Sequence, residues 1–166
     1  MFCHKDDVNT FVRRYDRDSD GRLLFSDFSD AFSPLDAYYA NSLATRPAQY
    51  IYRNIPKVNF FARDTRDMFL QCFRIHFEIE ESIELVKKRL SRRPKFNVRD
   101  AFKALDLDDI DYLTKESLKR SLHLHQFYPT DSELTWLNNR FDRNNSGRIS
   151  LQEFSEELMP KHSFRG

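Results

Sequence analysis

The sequence predicts an all-α protein whose helices are joined by two closely similar loops. Residues 16–27 read DRDSDGRLLFSD, and residues 142–153 read DRNNSGRISLQE. Apolar side chains at helical spacing precede each loop, and an apolar helix start follows each one. A third apolar pattern, over about 65–91, predicts one long helix between these two helix–loop–helix units.

Composition narrows the class of protein. The 166 residues carry a net charge of +1, which gives no general attraction to nucleic acid or to anionic lipid. No apolar run approaches the length of a bilayer span, and the first residues have no signal-peptide pattern. Cys3 and Cys72 are isolated thiols that suit a reducing compartment. We therefore expect a soluble, cytoplasmic protein with no membrane or nucleic-acid partner.

The two loops predict metal sites. Calcium takes six to eight oxygen ligands, and a twelve-residue loop can supply them from alternate positions if the chain turns sharply midway. Only three glycines are present, and Gly21 and Gly147 stand at the sixth positions of the two loops. Arg22 and Arg148 are candidate ligands through their backbone carbonyls. The other candidate ligands act through their side chains: Asp16, Asp18, Asp20, Asp27, Asp142, Asn144, Ser146 and Glu153. Ser150 is expected to act through a water molecule.

These spacings, with Leu23 and Ile149 at the eighth position, resemble the EF-hand family. The resemblance covers residues 8–32 and 98–159 and implies paired helix–loop–helix units that bind calcium or magnesium. The alternative is a pair of surface turns that are rich in Asp and Asn and hold no metal. An internal repeat extends beyond the loops, because DFSDAFSP at 27–34 parallels EFSEELMP at 153–160.

The two sites are expected to differ in selectivity. Glu153 is long enough to bind calcium through both oxygens, whereas Asp27 is one methylene shorter. We therefore predict that 142–153 is the better calcium site, and that 16–27 binds calcium less selectively, with Mg²⁺ as an alternative ion.

A third segment, DLDDIDYLTKES at 106–117, has the same length but damaged chemistry. Ile110, Asp111 and Ser117 replace the oxygen ligand, the turn glycine and the closing carboxylate. We predict a degenerate hand that binds no metal and pairs with the following hand through Leu113; a weak third site is the alternative. The first hand then lacks an evident mate. Three candidates could supply it: an upstream hand outside this chain, residues 50–62 with a strand near Val58, or another protein.

The predicted organisation is an N-terminal hand at 1–34, a short helix and extended aromatic linker at 35–63, a long connecting helix at 64–95 and a paired lobe at 96–166. Ser33 is the predicted N-cap of the short helix, roughly 34–45, and Asp64 or Thr65 caps the long one. Thr130 with Glu133 predicts a capping box at the start of the helix that enters the second loop. His76 is expected to be a packed, hydrogen-bonded histidine. The run KKRLSRRPK at 87–95 has six basic residues in nine. It is either a solvated helix end or a patch for an acidic partner such as a tubulin tail, an acidic protein or RNA.

No catalytic motif stands out, so we do not expect an enzyme. Three roles fit a calcium-binding chain of this layout: a sensor that opens to bind an amphipathic target helix, a buffer, and a structural adaptor docked on a larger assembly. The long aromatic insert favours the adaptor. The layout is similar to multi-hand proteins of cilia and flagella, especially in protists. That likeness implies protein partners such as tubulin or axonemal proteins, and a place in the cilium or cytoskeleton.

Overall fold

The computed structural model describes residues 5–47 and 55–160. Its helices are α1 (Lys5–Tyr15), α2 (Phe25–Phe32), α3 (Ala37–Ala44), α4 (Arg63–Ser91), α5 (Val98–Leu105), α6 (Lys115–Leu124), α7 (Asp131–Phe141) and α8 (Leu151–Leu158). Two short strands, β1 (Tyr112–Leu113) and β2 (Ile149–Ser150), and a 3₁₀ turn at Lys57–Asn59 complete the described elements. The predicted all-α class is confirmed. No helix within the described ranges combines the length and apolarity needed to cross a bilayer.

The chain forms two compact units, residues 1–81 and 82–166, and the boundary falls within α4. This division is coarser than the four segments predicted from the sequence, which stay a prediction. The long helix itself is present, and Arg63–Ser91 agrees closely with the predicted range of 65–91.

Aromatic rings form the core of the first unit. Phe11 of α1 is buried, and its ring centroid lies 5.1 Å from that of Phe73 and 6.3 Å from that of Phe32. His76 lies in the same cluster, with Nδ1 3.2 Å from the Tyr15 hydroxyl and Nε2 3.4 Å from the Ala31 carbonyl. These contacts confirm a packed, hydrogen-bonded histidine and join α1, α2 and α4 around the first loop.

The second unit is a pair of helix–loop–helix motifs joined by β1 and β2. The strands are antiparallel, and Leu113 lies opposite Ile149. Both side chains are fully buried against Phe102 and Phe154. This pairing confirms that the damaged loop at 106–117 supports the loop at 142–153. The capping box that opens α7, between Thr130 and Glu133, is also present.

Three local predictions were wrong. The long helix begins at Arg63, so neither Asp64 nor Thr65 is its N-cap. The short helix begins at Ala37, and its N-cap is Asp36 in place of Ser33, because the Asp36 carboxylate accepts the Tyr38 amide at 2.9 Å. Val58 lies in the 3₁₀ turn Lys57–Asn59 and forms no strand with Leu23. Residues 48–54, which include part of the proposed extended arm, lie outside the described ranges.

Candidate calcium-binding sites

The loop 142–153 gathers its oxygen atoms around a sharp turn. Asp142 is buried at the end of α7, and its carboxylate accepts the amides of Ser146 at 3.0 Å and Gly147 at 2.8 Å. The Ser146 amide also donates to the Asn144 side chain at 3.0 Å. Gly147 has a φ of +77°, a left-handed conformation that an L residue adopts only at a cost. The glycine therefore makes the turn that brings the first, third and fifth positions together.

The backbone carbonyl of Arg148, at loop position seven, lies in the same hydrogen-bonded group of oxygens. The Ser146 hydroxyl donates to the Arg148 carbonyl at 2.9 Å. The Arg148 guanidinium lies 4.7 Å from the ring centroid of Tyr112, which belongs to the neighbouring strand. The backbone oxygen predicted as a ligand is thus held within its loop, and the side chain of the same residue packs on the adjacent strand.

Glu153 closes the loop with two oxygens in different environments. One oxygen accepts the Ser150 amide at 2.9 Å and the Ser150 hydroxyl at 2.8 Å, which caps the start of α8. The other oxygen, Oε1, is buried and has no hydrogen-bond partner among the residues that the structure describes. Burying a polar atom unsatisfied costs about 1–3 kcal/mol, and more when it is charged. A divalent cation would satisfy this oxygen, so the residues present fit the ion that the loop pattern implies.

The loop 16–27 repeats this arrangement in the first unit. Buried Asp16 accepts the amides of Gly21 at 2.8 Å and Asp20 at 3.2 Å, and Gly21 has a φ of +81°. One carboxylate oxygen from each of Asp16, Asp18 and Asp20 lies within 4.8 Å of the others. The Arg22 amide donates to Asp20 at 2.7 Å. The first, third and fifth positions are therefore brought together as predicted.

Neighbouring groups shift the pKa values of Asp16 and Asp18. Burial raises the pKa of Asp16, but hydrogen bonds from the Gly21 amide and within the loop outweigh it and hold this pKa below its usual value. The pKa of Asp18 is raised, first through side-chain hydrogen bonding with Asp16 and further by the charges of Asp20 and Asp16. A bound cation would relieve this crowding of negative charge.

The closing residue of the first loop differs from Glu153. Asp27 uses one oxygen to accept the Leu24 amide at 3.0 Å at the start of α2. Glu153 caps its helix in the same way, so the two closing residues differ in the length of the side chain, as the sequence indicates.

The damaged loop keeps the backbone conformation of the two good ones. Asp106 accepts the amides of Ile110 at 3.2 Å and Asp111 at 2.9 Å, and Asp111 adopts a φ of +62° where the other loops have glycine. Ser117 takes over the capping role, with its hydroxyl accepting the Thr114 amide at 2.8 Å. The loop fold thus survives without the ligands at positions five and twelve.

An arginine on the following helix pairs with one of the four aspartates of the damaged loop. Arg120, on α6, forms an ion pair with Asp108, the third position of the loop. This role of Arg120 could not be predicted from the sequence, because nothing in its spacing separates it from other exposed basic residues of a helix. The guanidinium supplies positive charge at a position where the other loops would offer a carboxylate or an amide oxygen to an ion.

Comparison with known proteins agrees with this geometry. Residues 95–159 match the family model described as an EF-hand domain pair. Fold, loop geometry and family model together identify residues 95–159 as an EF-hand domain pair.

The curated relatives are animal proteins. Calcium-binding protein 7 of Homo sapiens and of Rattus norvegicus is 30% identical to this chain over 69 residues. The similarity covers 42% of this chain and 32% of the relative, so the chain spans about a third of the length of the curated relatives it matches.

Proposed function

We propose that Ca²⁺ is held at two sites by the residues predicted from the sequence. At the first site these are Asp16, Asp18, Asp20, the Arg22 carbonyl and Asp27, and at the second Asp142, Asn144, Ser146, the Arg148 carbonyl and Glu153. The observation that carries this assignment is Glu153 Oε1 at the loop's closing position, which is buried and has no hydrogen-bond partner among residues 5–47 and 55–160. Ser150 would act through water, because its hydroxyl already bonds to Glu153 at 2.8 Å.

The two sites differ in selectivity in this proposal. The second loop offers the longer Glu153, which favours the high coordination number of calcium. The first loop carries four carboxylates but closes on Asp27. It suits an ion that accepts fewer protein ligands, so Mg²⁺ competes there.

The role that the chain supports best is that of a non-catalytic adaptor, docked on a larger assembly through protein contacts. In this proposal the loop 106–117 binds no ion, and its Asp108 is paired with Arg120. The end of α4 is fixed to the same unit by Lys87, whose ammonium lies 3.5 Å from the Glu157 carboxylate. Both contacts favour a lobe that keeps its shape over one that rearranges with each calcium pulse. Ciliary microtubules, with tubulin or axonemal proteins as partners in the cytoplasm, are the assembly we favour.

A calcium sensor is the second candidate. The second unit contains a wholly apolar cavity of about 370 Å³, lined among others by Leu105, Leu122, Leu137 and Phe141. A cavity of this kind could widen when calcium binds and accept an amphipathic target helix.

Apolar-dye fluorescence with and without calcium distinguishes the two roles. For an adaptor we expect little change in fluorescence on adding calcium, together with co-sedimentation with microtubules in both conditions. A strong calcium-dependent rise would contradict the adaptor role and support the sensor. Absence of co-sedimentation would remove microtubules as the assembly.

A further inference from the structure

We propose that a groove between the α4–α5 turn and α8 binds an acidic protein segment that carries apolar side chains. The proposal deepens the adaptor role and rests on it, since it names the chemistry of the partner. The groove has a volume of about 690 Å³ and lies entirely within the second unit. It borders the apolar cavity of the same unit, with which it shares the lining residues Phe96 and Leu158.

The floor of the groove is mainly apolar. Its lining includes Phe96, Val98, Leu151, Leu158, Met159 and Pro160. Met159 is 54% exposed, so an apolar contact surface is already open to a partner. This volume and lining suit a few aliphatic or aromatic side chains of a polypeptide.

The rim of the groove is basic. Residues 87–99 contain seven Lys and Arg and no Asp or Glu. Arg99 lines the groove, and exposed Arg92, Arg93 and Lys95 lie between two other lining residues, Ser91 and Phe96. Within residues 5–47 and 55–160, none of these four cations forms an ion pair.

Lys87, the first residue of the basic run, differs from the cations that follow it. It lines the groove but is only 6% exposed and is paired with Glu157, so its charge is already engaged within the unit. The turn that follows is held by backbone hydrogen bonds, from Arg93 to the Leu90 carbonyl at 3.0 Å and from Phe96 to the Arg93 carbonyl at 3.1 Å. The remaining cations are therefore presented on an ordered turn, which reduces the entropy that a partner must remove on binding.

The basic rim and the apolar floor of the groove together indicate which class of molecule can bind there. Opposite charge favours an acidic chain, and the aliphatic floor offers contact area to apolar side chains. Single-stranded nucleic acid would instead require aromatic side chains on which bases stack. The lining contains one aromatic residue, Phe96, which is half-buried. An acidic peptide with interspersed leucines meets both requirements.

The test is fluorescence anisotropy with a labelled Glu-rich peptide that contains leucines. Two comparison probes are a peptide with Gln in place of Glu and a uridine oligonucleotide. We expect the acidic peptide to bind the full chain, with an affinity that falls as salt increases. The Gln peptide and the oligonucleotide should bind at least about tenfold more weakly. No binding of the acidic peptide, or equal binding of the oligonucleotide, would overturn the proposal.

Two variants locate the site. Arg92→Glu combined with Arg99→Glu should weaken binding about tenfold or more, whereas Lys57→Glu combined with Arg63→Glu makes the same charge change in the first unit and should have little effect. Met159→Ser should weaken binding with little change in its salt dependence. Equal effects of the two double variants would contradict the site.

Calcium titration of the same variants separates this proposal from the function above. If the groove variants lose peptide binding and retain calcium binding, both proposals stand. If the wild-type chain binds calcium but not the peptide, the groove proposal alone fails. If it binds the peptide but no calcium, the calcium assignment alone fails.

Discussion

Replacing Glu153 by Gln separates a metal ligand from a helix cap. Gln keeps the shape of the side chain and can still accept the Ser150 amide, which Glu153 accepts at 2.9 Å. It removes the charge and replaces one of the two carboxylate oxygens with an amide nitrogen. Interactions with a charged group contribute about 1.5–3 kcal/mol, so calcium affinity at this loop should fall about ten- to a hundredfold.

In the absence of metal, Glu153→Gln should raise the free energy of unfolding, although it weakens calcium binding. Glu153 Oε1 is buried and unpartnered among the described residues, so neutralising the group relieves a cost of about 1 kcal/mol or more. The matched control is Glu133→Gln in α7, where the carboxylate also caps a helix, accepting the Thr130 amide at 2.7 Å, but lies outside the loops. In chelator, Glu153→Gln should be more favourable to stability than Glu133→Gln by about this amount.

Isothermal titration calorimetry on chelator-treated protein measures the affinities, and urea unfolding in chelator measures the stabilities. Glu133→Gln should leave calcium affinity unchanged. The reasoning is refuted if the two substitutions change calcium affinity equally, because Glu153 would then act only as a cap.

Three further substitutions test the contacts around the sites. Tyr112→Ala should weaken calcium binding at 142–153 by up to about fivefold, measured by calorimetry. It removes a cation–π contact of about 0.5–1 kcal/mol that holds the Arg148 side chain. An unchanged affinity would show that this contact does not help to position the Arg148 carbonyl. Glu157→Gln should lower the free energy of unfolding in urea by about 3–5 kcal/mol, because it leaves buried Lys87 without its carboxylate partner. Lys87→Met should cost less, because Arg140 still pairs with Glu157 at 2.8 Å; a larger cost for Lys87→Met would contradict this. Asp27→Glu should raise calcium affinity at 16–27 about tenfold and reduce competition by magnesium, measured by competitive titration, and an unchanged preference would argue against Asp27 as the residue that sets selectivity.

The loops and their pairing could be predicted because local rules determine them. Gly147 must turn the chain, and the eighth-position residues Leu113 and Ile149 must pair to satisfy their backbone groups. The capping box of Thr130 and Glu133 is likewise a local signal. These features depend on residues within a few positions of each other or on a regular repeat.

Tertiary contacts explain what the sequence did not predict. Lys87 belongs to a run that looks solvent-exposed, yet it is buried because Glu157 lies 3.5 Å away in the folded unit. Arg120 neutralises Asp108 across twelve residues of chain, which no spacing rule indicates. Val58 has β propensity, but the local backbone hydrogen bond from Asn59 to Pro56 sets a 3₁₀ turn there.

The central claim is that two loops bind divalent ions, with 142–153 the tighter calcium site. The chain has only three glycines, so ¹⁵N-glycine labelling gives amide signals that report separately on Gly21 and Gly147. Each of these amides donates to the first carboxylate of its loop at 2.8 Å, so its chemical shift should respond when that carboxylate binds an ion. We predict that the Gly147 signal shifts at lower calcium than the Gly21 signal, and that magnesium affects Gly21 more. If neither signal moves at millimolar calcium or magnesium, the chain holds no ion in these loops and the account is wrong.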